Sequence, residues 1–340
     1  MRFGEEKMKF KKSTIVLIVI LILYTILSFY KLGRNENPQT FANIKNWEQL
    51  TYKIDPNVTI DKIMMYIGND LSYVSFFFAN EYKNFDTYVY DSSHEASYVF
   101  QWNKVNINKE KKNYEYLVLQ SYWDTTTLGE IKVYDVDGNE VALTPVEEKA
   151  KILLDEQETV PEDYSYMNSS YFDEIYFPRT AYEQLHNLPI YEYTHPPLGK
   201  LIMSIPMQFL GVTPFAYRLM GNIAGIFMIL VIYAIAKEMF GKEKYGLFAA
   251  AIMALDGMHF VQTRIGTVDS FLVLFCLTSF LFFIKYLKID KGENLKKKVV
   301  PLLISGTFWG MAISVKWTAA FVRTWYGSNI FCGYDLEQEV

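Results

Sequence analysis

The 340-residue chain is 51% hydrophobic and 17% aromatic, and its charges are concentrated outside a few long apolar runs. That excludes a protein soluble throughout and reads as a polytopic membrane protein with one sizeable polar insertion. The net charge of -5 carries little information, because the basic residues cluster at particular membrane ends; no nucleic-acid partner is expected, and two cysteines, Cys276 and Cys332, make no disulfide framework.

In chain order, the first apolar run, Ser13 to Tyr30, follows Arg2, Lys7, Lys9, Lys11 and Lys12 and lacks a small-residue cleavage site. Residues 1–30 are therefore predicted to be a cytoplasmic tail and an uncleaved transmembrane anchor. An all-β insertion is predicted over residues 55–146, a sandwich or jelly roll, from short alternating segments: Ser72 to Ala79, Asp86 to Tyr90, Ser97 to Trp102, Tyr114 to Ser121 and Glu130 to Asp135. Asp137-Gly138 marks a hairpin turn. Asp135, Asp137 and Glu140 lack the ligand spacing of an EF-hand loop, so an ordinary turn outweighs calcium. Tyr73, Phe76, Tyr88, Tyr98, Trp102, Tyr122 and Trp123 read as sandwich core ahead of a sugar-stacking face.

Residues 147–216 are predicted to be an external loop with interfacial helices, its first part (Glu147 to Ser170) a linker back to the membrane. Leu198 to Leu210 is too short to span. Four transmembrane helices are predicted over residues 217–321: Leu219 to Ala236, Gly246 to Thr263, Asp269 to Leu287 and Val299 to Ala320. Each approaches the roughly 20 residues needed to cross about 30 Å of hydrocarbon. The lysines at 237, 242 and 244, and those from 285 to 298, should be cytoplasmic. The insertion and the loop then face outward, with Arg264 and Asp269 on the same side as Asp173, Glu174 and His195. Residues 322–340 form an atypical tail.

Along that outer surface fall Asp173-Glu174, Arg179, His195, Lys200, Asp256, His259, Arg264, Asp269 and Lys316. Ionisable groups within or beside apolar runs are costly and therefore candidates for function; for any one of them the alternative is an interfacial ion pair or a snorkelling lysine. Adjacent carboxylates in an aromatic setting suit a base that strips a proton from a hydroxyl at a membrane surface. There is no tight His or Cys cluster. No cofactor is implied with certainty, and a divalent metal at Asp173 and Glu174 stays open.

Four motifs carry a family resemblance: Phe172-Asp173-Glu174; His195-Pro196-Pro197-Leu198-Gly199-Lys200; Leu255 to Arg264 with Asp269-Ser270; and Ser314-Val315-Lys316-Trp317-Thr318. In that order they resemble the dolichyl-phosphate-mannose and polyprenyl-phosphate-mannose protein mannosyltransferases, carrier-dependent membrane glycosyltransferases of the GT-C type. The resemblance implies a fold like the N-terminal half of that family, with an extracellular β-module similar to the galactose-binding-like modules of some bacterial members. It implies a plasma-membrane enzyme that transfers a sugar, mannose by analogy, from a polyprenyl-phosphate carrier to a Ser or Thr hydroxyl of an acceptor protein, with inversion. On it, Asp173 is the base, positioned with Glu174. Arg264 holds the donor phosphate with His195, Lys200 or Arg179 in support, and Asp269 orients Arg264 or caps the following helix. Family members continue into further spans where this chain has Arg323 to Val340, as in a truncated product. The competing reading is a non-catalytic, membrane-anchored carbohydrate- or surface-binding protein; a transporter fits less well, because the ionisable groups gather at one face.

Overall fold

The computed structural model describes residues 11–70, 73–84, 87–91, 99–107, 113–122, 125–290 and 292–321. The tail at 322–340 lies outside them, as do Tyr98, Trp123 and the side chain of Tyr88. The chain divides into two compact units, one of Met1–Leu32, Glu192–Ile205 and Arg218–Val340, the other of Gly33–Tyr191 and Pro206–Tyr217.

The second unit is built on two antiparallel sheets. Its strands are β1 (Ala42–Ile44), β2 (Gln49–Lys53), β3 (Ile60–Ile67), β4 (Tyr73–Ala79), β5 (Thr87–Asp91), β6 (Gln101–Asn106), β7 (Tyr116–Tyr122), β8 (Thr126–Asp135) and β9 (Thr144–Pro145). One sheet runs β1-β8-β3-β6 and the other β5-β4-β7-β2-β9. Side chains two apart on a strand share a face. Ile63 and Met65, Val74, Phe76 and Phe78, and Leu117 and Leu119 accordingly enter one apolar cluster with Ile131 and Val133.

The sheets begin earlier than the sequence pattern indicates. β1 and β2 are too short to show a pattern of their own, yet they pair with β8 and β7 and supply Ile44, Leu50 and Tyr52 to the cluster. The stretch read as a linker is also partly built in. A 3-10 helix at Glu148–Leu154 buries Ala150 and Leu153, and Tyr52 donates its hydroxyl proton to Ala150 O at 3.0 Å. Phe76 and Trp102 are fully buried, as core residues should be. The Asp135 carboxylate is taken up inside its own turn by the amides of Asp137 and Asn139. This unit continues through α2 (Phe177–Leu185), whose first turn contains Pro178, a residue suited to a helix start.

The other unit is helical. Its elements are α1 (Lys12–Phe29), α3 (Leu198–Leu210), α4 (Pro214–Phe240), α5 (Glu243–Leu255), α6 (Gly257–Gln262), α7 (Asp269–Leu287) and α8 (Leu295–Ile313), with the middle of the chain between Ile205 and Arg218 belonging to the sheet unit. Helices α1, α4 and α7 are long and apolar enough to cross a membrane. The run Gly246 to Thr263, expected as one span, is two helices: Asp256 leaves the helical conformation and its carboxylate accepts the His259 amide at 2.6 Å, so one acid ends α5 and caps α6. Helix α8 starts among lysines and contains Pro301. It is joined to α7 by a reciprocal pair in which the hydroxyls of Ser279 and Ser305 each donate to the other's carbonyl, at 2.8 and 2.9 Å. Small polar residues of this kind let apolar helices approach closely.

Candidate active site

In the helical unit, the segment preceding α3 is organised by Glu192, which the sequence reading did not single out. Its Oε1 accepts the amides of Thr194 and His195 at 2.9 and 3.1 Å and lies 3.0 Å from His195 Nδ1, while the Thr194 hydroxyl also donates to it. Its Oε2 takes the Lys200 ammonium at 2.7 Å, and Lys200 also donates to the carbonyls of Glu192 and His195 at 2.8 and 2.9 Å. Burial would push the Glu192 carboxyl upward, but Lys200, Thr194 and His195 outweigh it and hold the group down to about 2. Lys200 is only 2% exposed, so it is a buried ion-pair partner and does not snorkel. The available signal was the position of Glu192, three residues before His195 in Tyr191-Glu192-Tyr193-Thr194-His195.

Three of the motifs meet around this segment. Leu198 N donates to Ser314 O at 3.0 Å, and Trp317 Nε1 donates to Thr194 O at 3.2 Å. Gly199 is required by close packing, since a Cβ there would lie 2.8 Å from Val268 and 3.1 Å from Val315. Asp269, at the start of α7, pairs with Lys316 at 2.9 Å. The sequence suggests that this carboxylate orients Arg264 or caps the following helix; it lies in the first turn of α7, and its bond is to Lys316, three residues beyond α8.

His259 and Arg264 pack on α1 and the turn that follows it. The His259 ring stacks on Tyr24 with centroids 5.5 Å apart, and Tyr24 OH lies 3.2 Å from Thr263 Oγ1. Arg264 donates to the carbonyls of Ser28, Tyr30 and Lys31 at 3.1, 2.6 and 3.0 Å, with its guanidinium over the Phe260 ring. Of these, the Ser28 carbonyl belongs to the last turn of α1 and the other two follow it, at the negative end of the helix where a cation is favoured.

In the sheet unit, Asp173 is half-buried in a 3-10 turn, Phe172–Ile175. Glu174 is fully buried, and its Oε2 accepts the Tyr171 amide at 2.8 Å, which locks the turn. Phe172 has φ of 55°, a left-handed conformation that is costly for a bulky residue and recurs at functional sites. Arg179 in α2 is bound by Glu183 at 2.9 Å and lies 3.7 Å from Asp70. Among the described residues no three of His, Cys, Asp and Glu gather as a metal site.

Residues 194–324 match the model of the dolichyl-phosphate-mannose-protein mannosyltransferase family. The segment is thus similar to that family over somewhat more than a third of the chain. It is 26% identical over 155 residues to the polyprenol-phosphate-mannose–protein mannosyltransferase of Mycolicibacterium smegmatis, covering 43% of this chain and 29% of that protein. The like-named protein of Corynebacterium glutamicum is 27% identical over 154 residues (39% and 29%), and dolichyl-phosphate-mannose–protein mannosyltransferase 6 of Saccharomyces cerevisiae 28% over 154 (40% and 20%). The chain thus spans less than a third of the length of these relatives. Of the residues singled out, His195, Lys200, Asp256, His259, Arg264, Asp269 and Lys316 fall inside the family match, whereas Asp173, Glu174 and Arg179 precede it.

Proposed function

We propose that this protein is a membrane glycosyltransferase that passes mannose from a polyprenyl-phosphate carrier to a Ser or Thr hydroxyl of a protein at the outer face of the plasma membrane. The observation that carries this reading is the family match over residues 194–324, the stretch in which the His195–Lys200, Asp269 and Ser314–Thr318 motifs pack together. In the reaction the acceptor oxygen attacks the anomeric carbon as the bond from that carbon to the phosphate oxygen breaks. The polyprenyl phosphate leaves with the electron pair, and the acceptor proton passes to the Asp173 carboxylate. General-base help of this kind contributes roughly 10²–10⁴-fold. Attack opposite the leaving group inverts the anomeric centre.

Glu174 holds the turn that presents Asp173. The leaving phosphate calls for preorganised cations, and Arg264 is the candidate with a bidentate fork; the Lys200, His195 and Glu192 cluster supports it by fixing the loop before α3. The two-sheet unit is the extracellular sandwich module of this scheme. Asp173→Asn should abolish transfer while leaving binding of polyprenyl-phosphate mannose within about twofold, because only the base is lost. Turnover and donor affinity measured separately test it, and near-normal turnover in this variant would remove Asp173 from the role.

A further inference from the structure

Next to Asp173 lies an aromatic pair to which the proposed reaction gives no part. Tyr176 and Tyr191 have parallel rings, with an interplanar angle of 4° and centroids 6.3 Å apart. Tyr191 is fixed from several directions: the Arg179 guanidinium lies 3.9 Å from its ring centre, and its own amide donates to Glu183 Oε2 at 2.8 Å. The other oxygen of Glu183 receives Arg179 Nε at 2.9 Å, so one buried carboxylate sets both the ring and the cation against it. Tyr176 donates its amide to Asp173 O at 3.0 Å, which ties the first ring directly to the turn bearing the proposed base. Despite this anchoring, Tyr176 remains 39% exposed and Tyr191 51% exposed.

An aromatic ring that is ordered before any ligand arrives, yet open to solvent, has already lost the freedom that binding would otherwise cost it. Its electron-rich face suits the C–H face of a saccharide ring. The tyrosine hydroxyls and the guanidinium add hydrogen-bonding groups at the rim, which a pyranose uses and an acyl chain does not. We propose that Tyr176 and Tyr191 form a stacking shelf for a pyranose ring and orient the sugar beside Asp173. The choice of mannose as that sugar rests on the proposed transferase reading, while the shelf itself rests on the tyrosine geometry.

The test uses the whole chain in lipid nanodiscs, with binding of methyl α-D-mannopyranoside followed by ligand-observed NMR and transfer from polyprenyl-phosphate mannose to a Ser/Thr peptide followed in parallel. Tyr191→Ala and Tyr176→Ala should each weaken mannoside binding about tenfold, and Tyr191→Phe should retain it within about twofold. If Tyr191→Ala unfolds the loop, Tyr176→Ala and Tyr191→Phe still decide the matter. Mannoside binding that depends on the shelf in a chain that transfers nothing would leave the shelf standing and remove the reaction. Unchanged affinity in both alanine variants, a fall in thermal midpoint alone, or no mannoside binding by the unsubstituted chain would overturn the shelf, whatever the transfer assay reads.

Discussion

Replacing Glu192 by Gln removes one charge from a carboxylate bonded by Thr194, His195 and Lys200 and leaves Lys200 buried without its counter-ion. The size of the effect follows from two routes. Glu192 titrates at about 2 against an ordinary value of 4.5, and each unit of that depression corresponds to 1.36 kcal/mol, or about 3 kcal/mol in all. Removing one partner of a buried pair independently costs about 3–5 kcal/mol, because the other charge is stranded. Because the folded-state value is depressed, this stability is fully present above pH 4.5 and is lost as pH falls from there toward 2. The gap between the parent chain and Glu192→Gln should therefore be flat from pH 5 to 8 and shrink below that. Denaturant unfolding in detergent, read by tryptophan fluorescence, measures it; Trp317 reports locally through its bond to Thr194 O. Lys200→Met in the Glu192→Gln background should recover part of the loss, since the stranded ammonium is gone. A loss below about 0.5 kcal/mol, or a double variant as poor as the sum of the single ones, would refute the reasoning from a buried pair.

Three further outcomes follow from other parts of the molecule. Burial pushes the Glu130 carboxyl in β8 up to about 8, with the Asp155 and Glu156 carboxylates adding to the rise and bonds from the Glu156 amide and Gln157 opposing it. Its stabilising contribution is therefore present below pH 4.5 and lost as pH rises through 8, so Glu130→Gln should flatten the decline in thermal midpoint between pH 6 and 8; parallel curves for the two proteins would discount the burial argument. Arg264→Ala should lower the unfolding midpoint by an amount equivalent to about 2–3 kcal/mol, with Arg264→Lys recovering less than half, because one ammonium cannot replace a fork reaching three carbonyls. A fragment of residues 33–191 should fold as a soluble β-rich domain, whereas residues 57–144 should not, since they omit Ile44, Leu50, Tyr52, Ala150 and Leu153 from the cluster; circular dichroism and thermal melting of the two fragments would distinguish them.

Legibility in the sequence followed physical simplicity. The long apolar runs behind α1, α4 and α7 announce themselves, because 18 or more residues of one character leave little alternative to a membrane helix. β4 and β7 were legible as strands to within two residues, and β8 only from Glu130 onward; their neighbours in the sheets were not. Alternation marks a strand with one wet face, and β4 is buried almost throughout, Phe77 as well as Phe76 and Phe78. β1 and β2 carried too few apolar residues to register, and only their pairing with β8 and β7 makes them strands. In the site, residue types marked Lys200, Asp269 and Lys316 as unusual, while their partners depended on tertiary contact. Glu192 lies outside any apolar run and carries no mark of its own in the sequence, although it accepts bonds from Thr194, His195 and Lys200.

Arg264 shows why an ionisable residue beside an apolar run carries more than one meaning. Charges are expensive there, and the usual inference is that function retains them. In this chain the end of α1 leaves carbonyls that need donors, and Arg264 supplies them by bonding Ser28, Tyr30 and Lys31. That structural use does not compete with the proposed phosphate role as a separate alternative; it couples to it. On that proposal, a donor phosphate that drew the guanidinium toward itself would weaken its bonds to the exposed Tyr30 and Lys31 carbonyls, which water can take over, and to the part-buried Ser28 carbonyl, which resists losing a partner. Conversely, a guanidinium already oriented by three carbonyls meets the phosphate with little left to order. Donor affinity and the docking of the α1 terminus are then linked quantities, and a substitution in α1 at Tyr24, which bonds Thr263 beside Arg264, belongs to the same energetic unit as the arginine itself.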